Sequence, residues 1–168
     1  MGLLEPTSGS VKIDEIPIVN SPILWKKKIS FVSQSAYLLD ESIINNITFN
    51  QNENLINKKK LNDTIEIANL NEFIEKTEFK LQTIVGERGS KISGGELQRI
   101  CIARAIYRDS EVLIFDEFTS ALDEKTETKI IRNIFNLKKT IIIVSHKPQT
   151  LKYCDDIYEL VDRQLKKK

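Results

Sequence analysis

The sequence contains little cysteine and almost no net charge. Its two cysteines, Cys101 and Cys154, lie far apart and lack the spacing of metal ligands. We therefore expect neither a zinc-type site nor a disulfide framework, and we expect a reducing compartment. The formal net charge of +1 gives no electrostatic reason to expect nucleic acid as the main partner.

Long apolar runs are also missing. No stretch approaches the roughly 20 apolar residues of a membrane-spanning helix, and residues 1–20 lack the basic and apolar regions of a signal peptide. We expect any work at a membrane to take place on its cytoplasmic face, through another polypeptide or another part of a longer one. Two basic runs, 58–60 and 166–168, are expected to form a solvated loop and a frayed tail.

What is present indicates one α/β domain. Hydrophobic residues make up 40% and charged residues 29% of the 168 residues, which allows a sizeable core. The apolar runs 112–115 and 140–144 are interpreted as strands, the first of them buried on both faces. Apolar residues at helical spacing over 123–137 lie between them. This order of elements predicts a parallel pair of strands with a right-handed crossover.

Shorter strands are predicted at 11–18, where Pro17 indicates an edge or a bulge, at 29–32 and at 157–161. Between about 40 and 80, Asn, Lys and Glu dominate, and apolar residues recur at helical spacing. Asp40 or Ser42 suits the N-cap of the first helix in this stretch. We interpret the stretch as a small helical insertion on the main sheet.

Acidic residues stand directly after the strand 112–115. Such acids are common where a strand runs out into solvent, but a functional interpretation assigns a magnesium ion to Asp116 and the attacking water of a phosphoryl transfer to Glu117. The only histidine, His146, follows the strand 140–144, and by itself it fits an ordinary strand-end residue. Ligands bind at the carboxyl ends of parallel strands, where neighbouring strands would bring His146 beside the two acids.

The segment Ser93-Gly94-Gly95-Glu96 fits a capping box at the start of a helix. The cap alone does not explain the glycines, since each glycine in a helix costs about 1 kcal/mol relative to alanine. Two in succession indicate that another group approaches the backbone closely, and the free amides of a helix N-terminus bind anions. Many ordinary helices also begin with serine and glycine, so the segment is not decisive alone.

Taken in order, these segments resemble the motifs of ATP-binding-cassette (ABC) nucleotide-binding domains. The matching motifs are the Q-loop at 31–34, the signature at 92–99, Walker B with the catalytic glutamate at 112–117, the D-loop at 120–123 and the switch histidine at 144–146. The resemblance extends from residue 2 to about residue 163. It implies a P-loop NTPase-like α/β fold with a mostly parallel sheet, helices on both faces and an inserted helical subdomain.

The resemblance also implies domain limits, with the helical subdomain at about 40–92, the catalytic core at 1–39 and 93–163, and a basic tail at 164–168. It implies a head-to-tail pair of domains with ATP and Mg²⁺ between them. The implied site residues are Glu117 and His146 for catalysis, Asp116 and Gln34 for the metal, and Gln34, Ser93, Gly94, Gly95, Glu96 and Asp123 for the nucleotide.

Residues 38–47 resemble exporter-type members of the family, in which the helical subdomain meets a transmembrane partner. Tyr37 is similar in position to an aromatic residue at that contact. The resemblance therefore implies ATP hydrolysis coupled to export or flipping across a membrane.

The sequence departs from the family at the phosphate-binding loop. None of its six glycines begins the Walker A pattern Gly-x-x-x-x-Gly-Lys-Ser/Thr, and the upstream aromatic residue that stacks on adenine is absent. We expect a fragment without the N-terminal part of the fold, which on its own binds ATP poorly and barely hydrolyses it. Glu96 replaces the usual glutamine of the signature, and Asp162-Arg163 stands where the family usually has Asp-Gly.

Other hypotheses remain open beside the ATPase part of a transporter. The chain fits a catalytically incompetent partner that donates only its signature motif to another subunit's ATP. It also fits a soluble ABC ATPase that acts on DNA or ribosomes, although the near-neutral charge and the exporter-like insertion disfavour that hypothesis. Finally, it fits the product of a decaying gene.

Overall fold

The computed structural model describes residues 4–20, 22–50 and 52–168. Residues 1–3, where the resemblance begins, lie outside the described residues. Within the described part of the chain, no helix is long and apolar enough to cross a membrane.

The N-terminal segment forms a hairpin rather than the single strand expected for 11–18. Strand β1 (Lys12–Ile13) pairs antiparallel with β2 (Ile16–Pro17). The turn residues Asp14 and Glu15 have φ angles of 49° and 64°, which suit a two-residue hairpin turn. The sequence did not predict this turn because such turns usually carry glycine. Helix α1 (Pro22–Lys28) follows, and its C-terminal lysines suit the negative end of the helix dipole.

The central sheet contains three parallel strands, in the order β3 (Ile29–Val32), β4 (Val112–Asp116) and β5 (Thr140–Val144). The predicted parallel sheet is therefore confirmed. Val32 is paired with Phe115, and Asp116 is paired with Val144, so the strands end almost level. Their carboxyl ends meet at one edge of the sheet, which is where side chains from different strands can converge.

One face of the sheet is buried more deeply than the other. Leu113 and Phe115 of β4 are fully buried, whereas Val112 and Ile114 are only half-buried, and Ile142 of β5 is exposed. The expectation that this strand is buried on both faces is therefore wrong. The described residues cover its second face only in part.

The stretch after β3 carries short helices, α2 (Ile43–Thr48), α3 (Lys58–Ile67) and α4 (Asn71–Lys76). Ser42 caps α2, because its Oγ accepts a hydrogen bond from the Asn45 amide at 3.3 Å. Asn57 caps α3 in the same way, so the basic run 58–60 opens a helix and is not a solvated loop. Buried residues of α3 belong to the same apolar cluster as β4.

The helices of the main body are α5 (Gly94–Tyr107), α6 (Glu124–Phe135) and α7 (Pro148–Leu151). Helix α6 connects β4 to β5 and provides the predicted crossover between parallel strands. It buries Ile130, Ile131 and Ile134, which lie on one stripe at helical spacing.

The chain ends in a second hairpin, β6 (Tyr158–Val161) and β7 (Gln164–Lys167). The basic run at the C-terminus is therefore a paired strand and not a frayed tail. Asp162 and Arg163 form the turn with φ angles of 52° and 64°. At the position of Arg163, a glycine would adopt this positive φ without a steric penalty, whereas arginine is strained. This gives a structural reason for the Asp-Gly that the ABC family usually has here.

Candidate functional site

The site begins where β4 ends, in a segment that we name the Glu117 loop (residues 117–123). Glu117 has a φ of 44°, a left-handed conformation that costs a non-glycine residue free energy. Its amide donates a hydrogen bond to the Val144 carbonyl at 3.0 Å. The neighbouring strand β5 therefore helps to hold Glu117 in this conformation.

The Glu117 carboxylate is contacted from two other segments of the chain. Gln34, which follows β3, donates from Nε2 to Oε2 of Glu117 at 2.8 Å. His146 lies in the His146 loop (residues 145–147) after β5, and its Nε2 is 3.2 Å from Oε1 of Glu117. The structure thus brings together three of the residues that the sequence singled out, one from the end of each strand.

Asp116 stands beside this group as a half-buried carboxylate. Among the described residues, its side-chain carboxylate has no hydrogen bond and no ion pair. Gln34 uses its amide nitrogen on Glu117, which leaves its amide oxygen available. Mg²⁺ prefers oxygen ligands, and in phosphoryl-transfer sites it typically takes only one or two from carboxylates, so Asp116 and Gln34 fit such an ion. No group of three or more histidine, cysteine or acidic residues suited to a metal occurs in the described ranges.

The N-terminus of α5 is capped as the sequence predicted. The Glu96 amide donates to Oγ of Ser93 at 3.3 Å, and the Ser93 amide donates to Oε2 of Glu96 at 2.8 Å. The capping box therefore occupies the carboxylate of Glu96. Ser93 and Gly94 remain exposed at the helix end.

The two glycines of this helix end face the Glu117 loop within the same chain. A Cβ atom on Gly95 would lie 3.1 Å from the carbonyl oxygen of Ala121, which is tighter than ordinary contact. A Cβ atom on Gly94 would lie 3.7 Å from the Cβ of Ala121, at normal van der Waals distance. The close approach that the sequence predicted therefore holds for Gly95, and the approaching group is backbone of this chain.

Asp123 serves as the N-cap of α6. Its Oδ1 accepts a hydrogen bond from the Thr126 amide at 3.0 Å. Hydrogen bonds from the Thr126 side chain and amide hold the pKa of the fully exposed Asp123 carboxyl below its ordinary value. This structural role accounts for an aspartate here without a nucleotide, so contact with a nucleotide stays a prediction.

The comparisons with known proteins assign the family. A family model described as "ABC transporter" matches residues 1–120, which is more than half of the chain. The chain belongs to the ABC transporter family. The resemblance on which the sequence analysis relied is therefore confirmed.

Curated relatives point to the exporter branch. The chain is 37% identical over 142 residues to an "ATP-dependent lipid A-core flippase" of Pectobacterium atrosepticum, covering 83% of this chain and 24% of that protein. It is 35% identical over 164 residues to a "Multidrug resistance ABC transporter ATP-binding and permease protein" of Lactococcus lactis, covering 96% of this chain and 28% of that protein. The chain thus spans roughly a quarter of the length of these relatives.

A solved structure supports the same assignment. The "Structure of a bacterial Atm1-family ABC exporter with ATP bound" matches with a TM-score of 0.89 and 30% identity. The match covers 96% of this chain and 29% of that chain. The P-loop NTPase-like α/β fold predicted from the sequence is thereby confirmed, and the chain corresponds to the ATP-binding part of such transporters.

Some residues of this ABC domain were missed by the sequence analysis. Gln98 on α5 is buried, and its Oε1 accepts a hydrogen bond from the Ala121 amide at 3.0 Å, which joins the signature helix to the Glu117 loop. In the sequence, Gln98 could have been recognised as a polar residue on a broadly apolar helix. Arg104, on the same helix, donates to the carbonyls of Tyr37 and Asn46, each at 2.8 Å. Burial lowers the pKa of Arg104, and its neighbours supply carbonyl acceptors in place of water.

Proposed function

We propose that this chain is the ATP-binding and ATP-hydrolysing part of an ABC transporter and that it couples hydrolysis to export or flipping across a membrane. One observation carries the proposal. Glu117 is held between Gln34 and His146 at the carboxyl ends of the sheet strands, directly beside the unpartnered carboxylate of Asp116. In parallel α/β sheets this edge is where ligands bind.

The residues divide the chemistry among them. Glu117, whose side chain is 29% exposed, orients a water and accepts its proton. His146 and Gln34 fix both oxygens of that carboxylate, which keeps its lone pairs directed into the site. Asp116 and the amide oxygen of Gln34 would hold Mg²⁺. When bound, this ion neutralises charge on the phosphate oxygens.

The signature end of α5 serves the nucleotide of a second ATP-binding domain in a head-to-tail pair. Ser93 and Gly94 are exposed at a helix N-terminus, where amide groups and the helix dipole favour an anion. Glu96 adds a negative charge, but the Ser93 amide holds that carboxylate in the cap. We assign nucleotide contacts at this end to Ser93, Gly94, Gly95 and Glu96. We assign Asp123 to the same interface, because it lies two residues after Ala121, whose carbonyl oxygen would be 3.1 Å from a Cβ atom on Gly95.

We assign the contact with a transmembrane partner to the helical subdomain. We place this subdomain at about 40–92 and the catalytic core at 1–39 and 93–163. A pocket of about 630 Å³ lies between β3, α2 and α5 and includes Tyr37, Phe49 and Arg104 in its lining. Tyr37 is 54% and Phe49 is 63% exposed, which suits burial against another surface. The name of the Lactococcus lactis relative, an "ATP-binding and permease protein", supports a membrane partner, and we place this chain on the cytoplasmic face of that partner.

The ATPase assignment is tested by restoring a phosphate-binding loop. The chain is extended at its N-terminus by a segment with Gly-x-x-x-x-Gly-Lys-Ser/Thr from another ABC domain, and Mg²⁺-dependent phosphate release is measured. We expect turnover that Glu117→Gln abolishes while ATP binding is retained. Normal turnover in Glu117→Gln would contradict the role of Glu117. The chain without the extension should bind ATP poorly, and micromolar affinity would contradict that expectation.

A second candidate function is donation of the signature alone. The intact capping box and the exposed Gly94 favour it, because that helix end is complete within this chain. The test mixes the chain with a separate ABC domain that carries its own phosphate-binding loop. Signature donation predicts stimulated turnover that Gly94→Val removes and Glu117→Gln leaves unchanged. Loss of the stimulation in Glu117→Gln would favour the ATPase function.

A further inference from the structure

A buried acid on α6 has no place in the motifs described above. Glu127 is 2% exposed, and its carboxylate accepts hydrogen bonds from separate parts of the chain. Thr119 Oγ1 donates to Oε1 at 3.0 Å, and Thr150 Oγ1 donates to the same oxygen at 3.2 Å. Lys147 Nζ lies 2.6 Å from Oε2. Both oxygens are therefore satisfied.

These partners belong to the two loops that carry the site. Thr119 stands in the Glu117 loop, two residues after Glu117. Lys147 stands in the His146 loop, directly after His146. Lys147 also donates to the carbonyl oxygen of Thr119 at 3.0 Å, so the loops are joined both through Glu127 and directly.

A buried carboxylate is unfavourable unless it is paired and hydrogen-bonded, because burial removes its hydration. This network supplies an ammonium and two hydroxyl groups around one carboxylate. A network in which every member is satisfied fixes its parts in a single arrangement. A change in the relative position of the two loops would break at least one of these bonds.

We propose that Glu127 is a positioning residue, which holds the Glu117 loop and the His146 loop in the relative position that brings Glu117 against His146. The importance of that contact rests on the proposed ATPase function, but the geometry itself does not require nucleotide. Glu127 acts only through its partners, because among the described residues its side chain bonds Thr119, Lys147 and Thr150 and not Glu117 or His146.

The test uses the 168-residue chain without nucleotide. His146 is its only histidine, so the imidazole ring gives a single set of NMR signals. The variant is Glu127→Gln, which keeps the shape and removes the charge. The matched control is Glu124→Gln, an exposed acid one turn earlier on α6. Glu117→Gln gives the reference signal of a His146 ring without its carboxylate.

We expect Glu127→Gln to move the His146 ring signals in the same direction as Glu117→Gln. We also expect about tenfold faster hydrogen exchange at the Glu117 amide, because the loop that presents it to Val144 loses charged hydrogen bonds. Amides in the middle of α5 should keep their exchange rates. Glu124→Gln should change neither quantity.

A purely stabilising role gives a different result. If Glu127→Gln lowers the melting temperature but leaves the His146 signals and the Glu117 exchange at wild-type values, the proposal is overturned. If Glu127→Gln does not fold, the double variant Glu127→Gln/Lys147→Met replaces it, since it leaves no unpaired charge. Exchange at the Glu117 amide then decides in the same way.

The outcome is separable from that of the proposed function. If Glu127→Gln changes the His146 signals and the Glu117 exchange as expected, but the extended chain shows no turnover, the ATPase function is overturned and the positioning role stands. If turnover requires Glu117, but Glu127→Gln leaves the His146 signals and the Glu117 exchange unchanged, the positioning role alone is overturned.

Discussion

Glu117 and His146 meet across the ends of two adjacent strands, with His146 Nε2 3.2 Å from Oε1 of Glu117. The imidazole is 90% exposed, whereas the carboxylate is 29% exposed. In this contact, His146 is therefore the residue that is accessible to solvent. The other oxygen of the carboxylate is held by Gln34 at 2.8 Å, so Glu117 has a partner on both oxygens within the chain.

This geometry predicts that His146→Ala lowers turnover without lowering ATP affinity. In the chain extended by a phosphate-binding loop, we expect phosphate release to fall by about 10²-fold or more, the usual range for loss of a group that assists proton transfer. Steady-state phosphate release and ATP titration measure the two quantities. The control is Lys152→Ala, an exposed residue directly after α7. A near-normal rate of phosphate release in His146→Ala would show that His146 is an ordinary residue at the end of a strand and not part of the catalytic site.

The convergence of these side chains could be predicted from the sequence for a physical reason. Short apolar runs rich in β-branched residues, such as Thr140–Val144, favour a strand, and the carboxyl ends of parallel neighbours meet at one edge. Local cap chemistry was equally predictable, since Ser42 and Ser93 both cap the helices that follow them. The apolar runs and the caps are each visible in residues close together in the sequence, and the meeting of the strand ends follows from the parallel topology.

The contacts made over longer distances were not predictable. Glu127 occupies the stripe of Ile130, Ile131 and Ile134 on α6, so the sequence carried the signal of an acid on an apolar face. Its partner Thr150 lies on a different element, and no local pattern selects it from other threonines. The N-terminal hairpin was not predicted either, because its turn residues Asp14 and Glu15 adopt positive φ angles that usually go with glycine or asparagine.

The two glycines of the signature should respond differently to alanine. Gly95→Ala places a Cβ atom 3.1 Å from the Ala121 carbonyl oxygen, a crowding that costs about 1–3 kcal/mol against a helix-propensity gain of up to about 1 kcal/mol, so we expect the variant to be less stable than Gly94→Ala. Gly94→Ala meets only ordinary contact at 3.7 Å and should be neutral or stabilising by up to about 1 kcal/mol. Urea unfolding of both variants measures the difference. Equal effects would show that backbone contact with the Glu117 loop is not what requires glycine.

The two cysteines should differ in reactivity in the folded chain. Cys101 is 7% exposed and burial raises the pKa of its thiol, whereas Cys154 is partly exposed and its thiol pKa is raised by burial and by nearby Asp155. We expect iodoacetamide to modify Cys154 slowly and Cys101 only after unfolding, because the thiolate is the reactive form. Peptide mass spectrometry of samples with and without urea measures both rates. Equal labelling in the folded chain would contradict the burial of Cys101.

The cap at Asp123 predicts a pH dependence of stability. Hydrogen bonds from Thr126 lower the pKa of Asp123 in the folded chain, so its contribution to stability is complete above the ordinary carboxyl pKa and is lost as the pH falls through the lowered value. The difference in unfolding free energy between the wild type and Asp123→Ala should therefore be constant above about pH 5 and shrink below about pH 4.

Asp123→Asn separates this titration from the cap itself. Asparagine also caps helices but does not ionise in this range, so the difference between Asp123→Asn and Asp123→Ala should stay constant as the pH falls. Thermal unfolding of the three proteins between neutral pH and about pH 3 measures both differences, across the ordinary aspartate pKa. If the wild type and Asp123→Ala differed equally at every pH, the carboxylate charge would not be the source of the stabilisation.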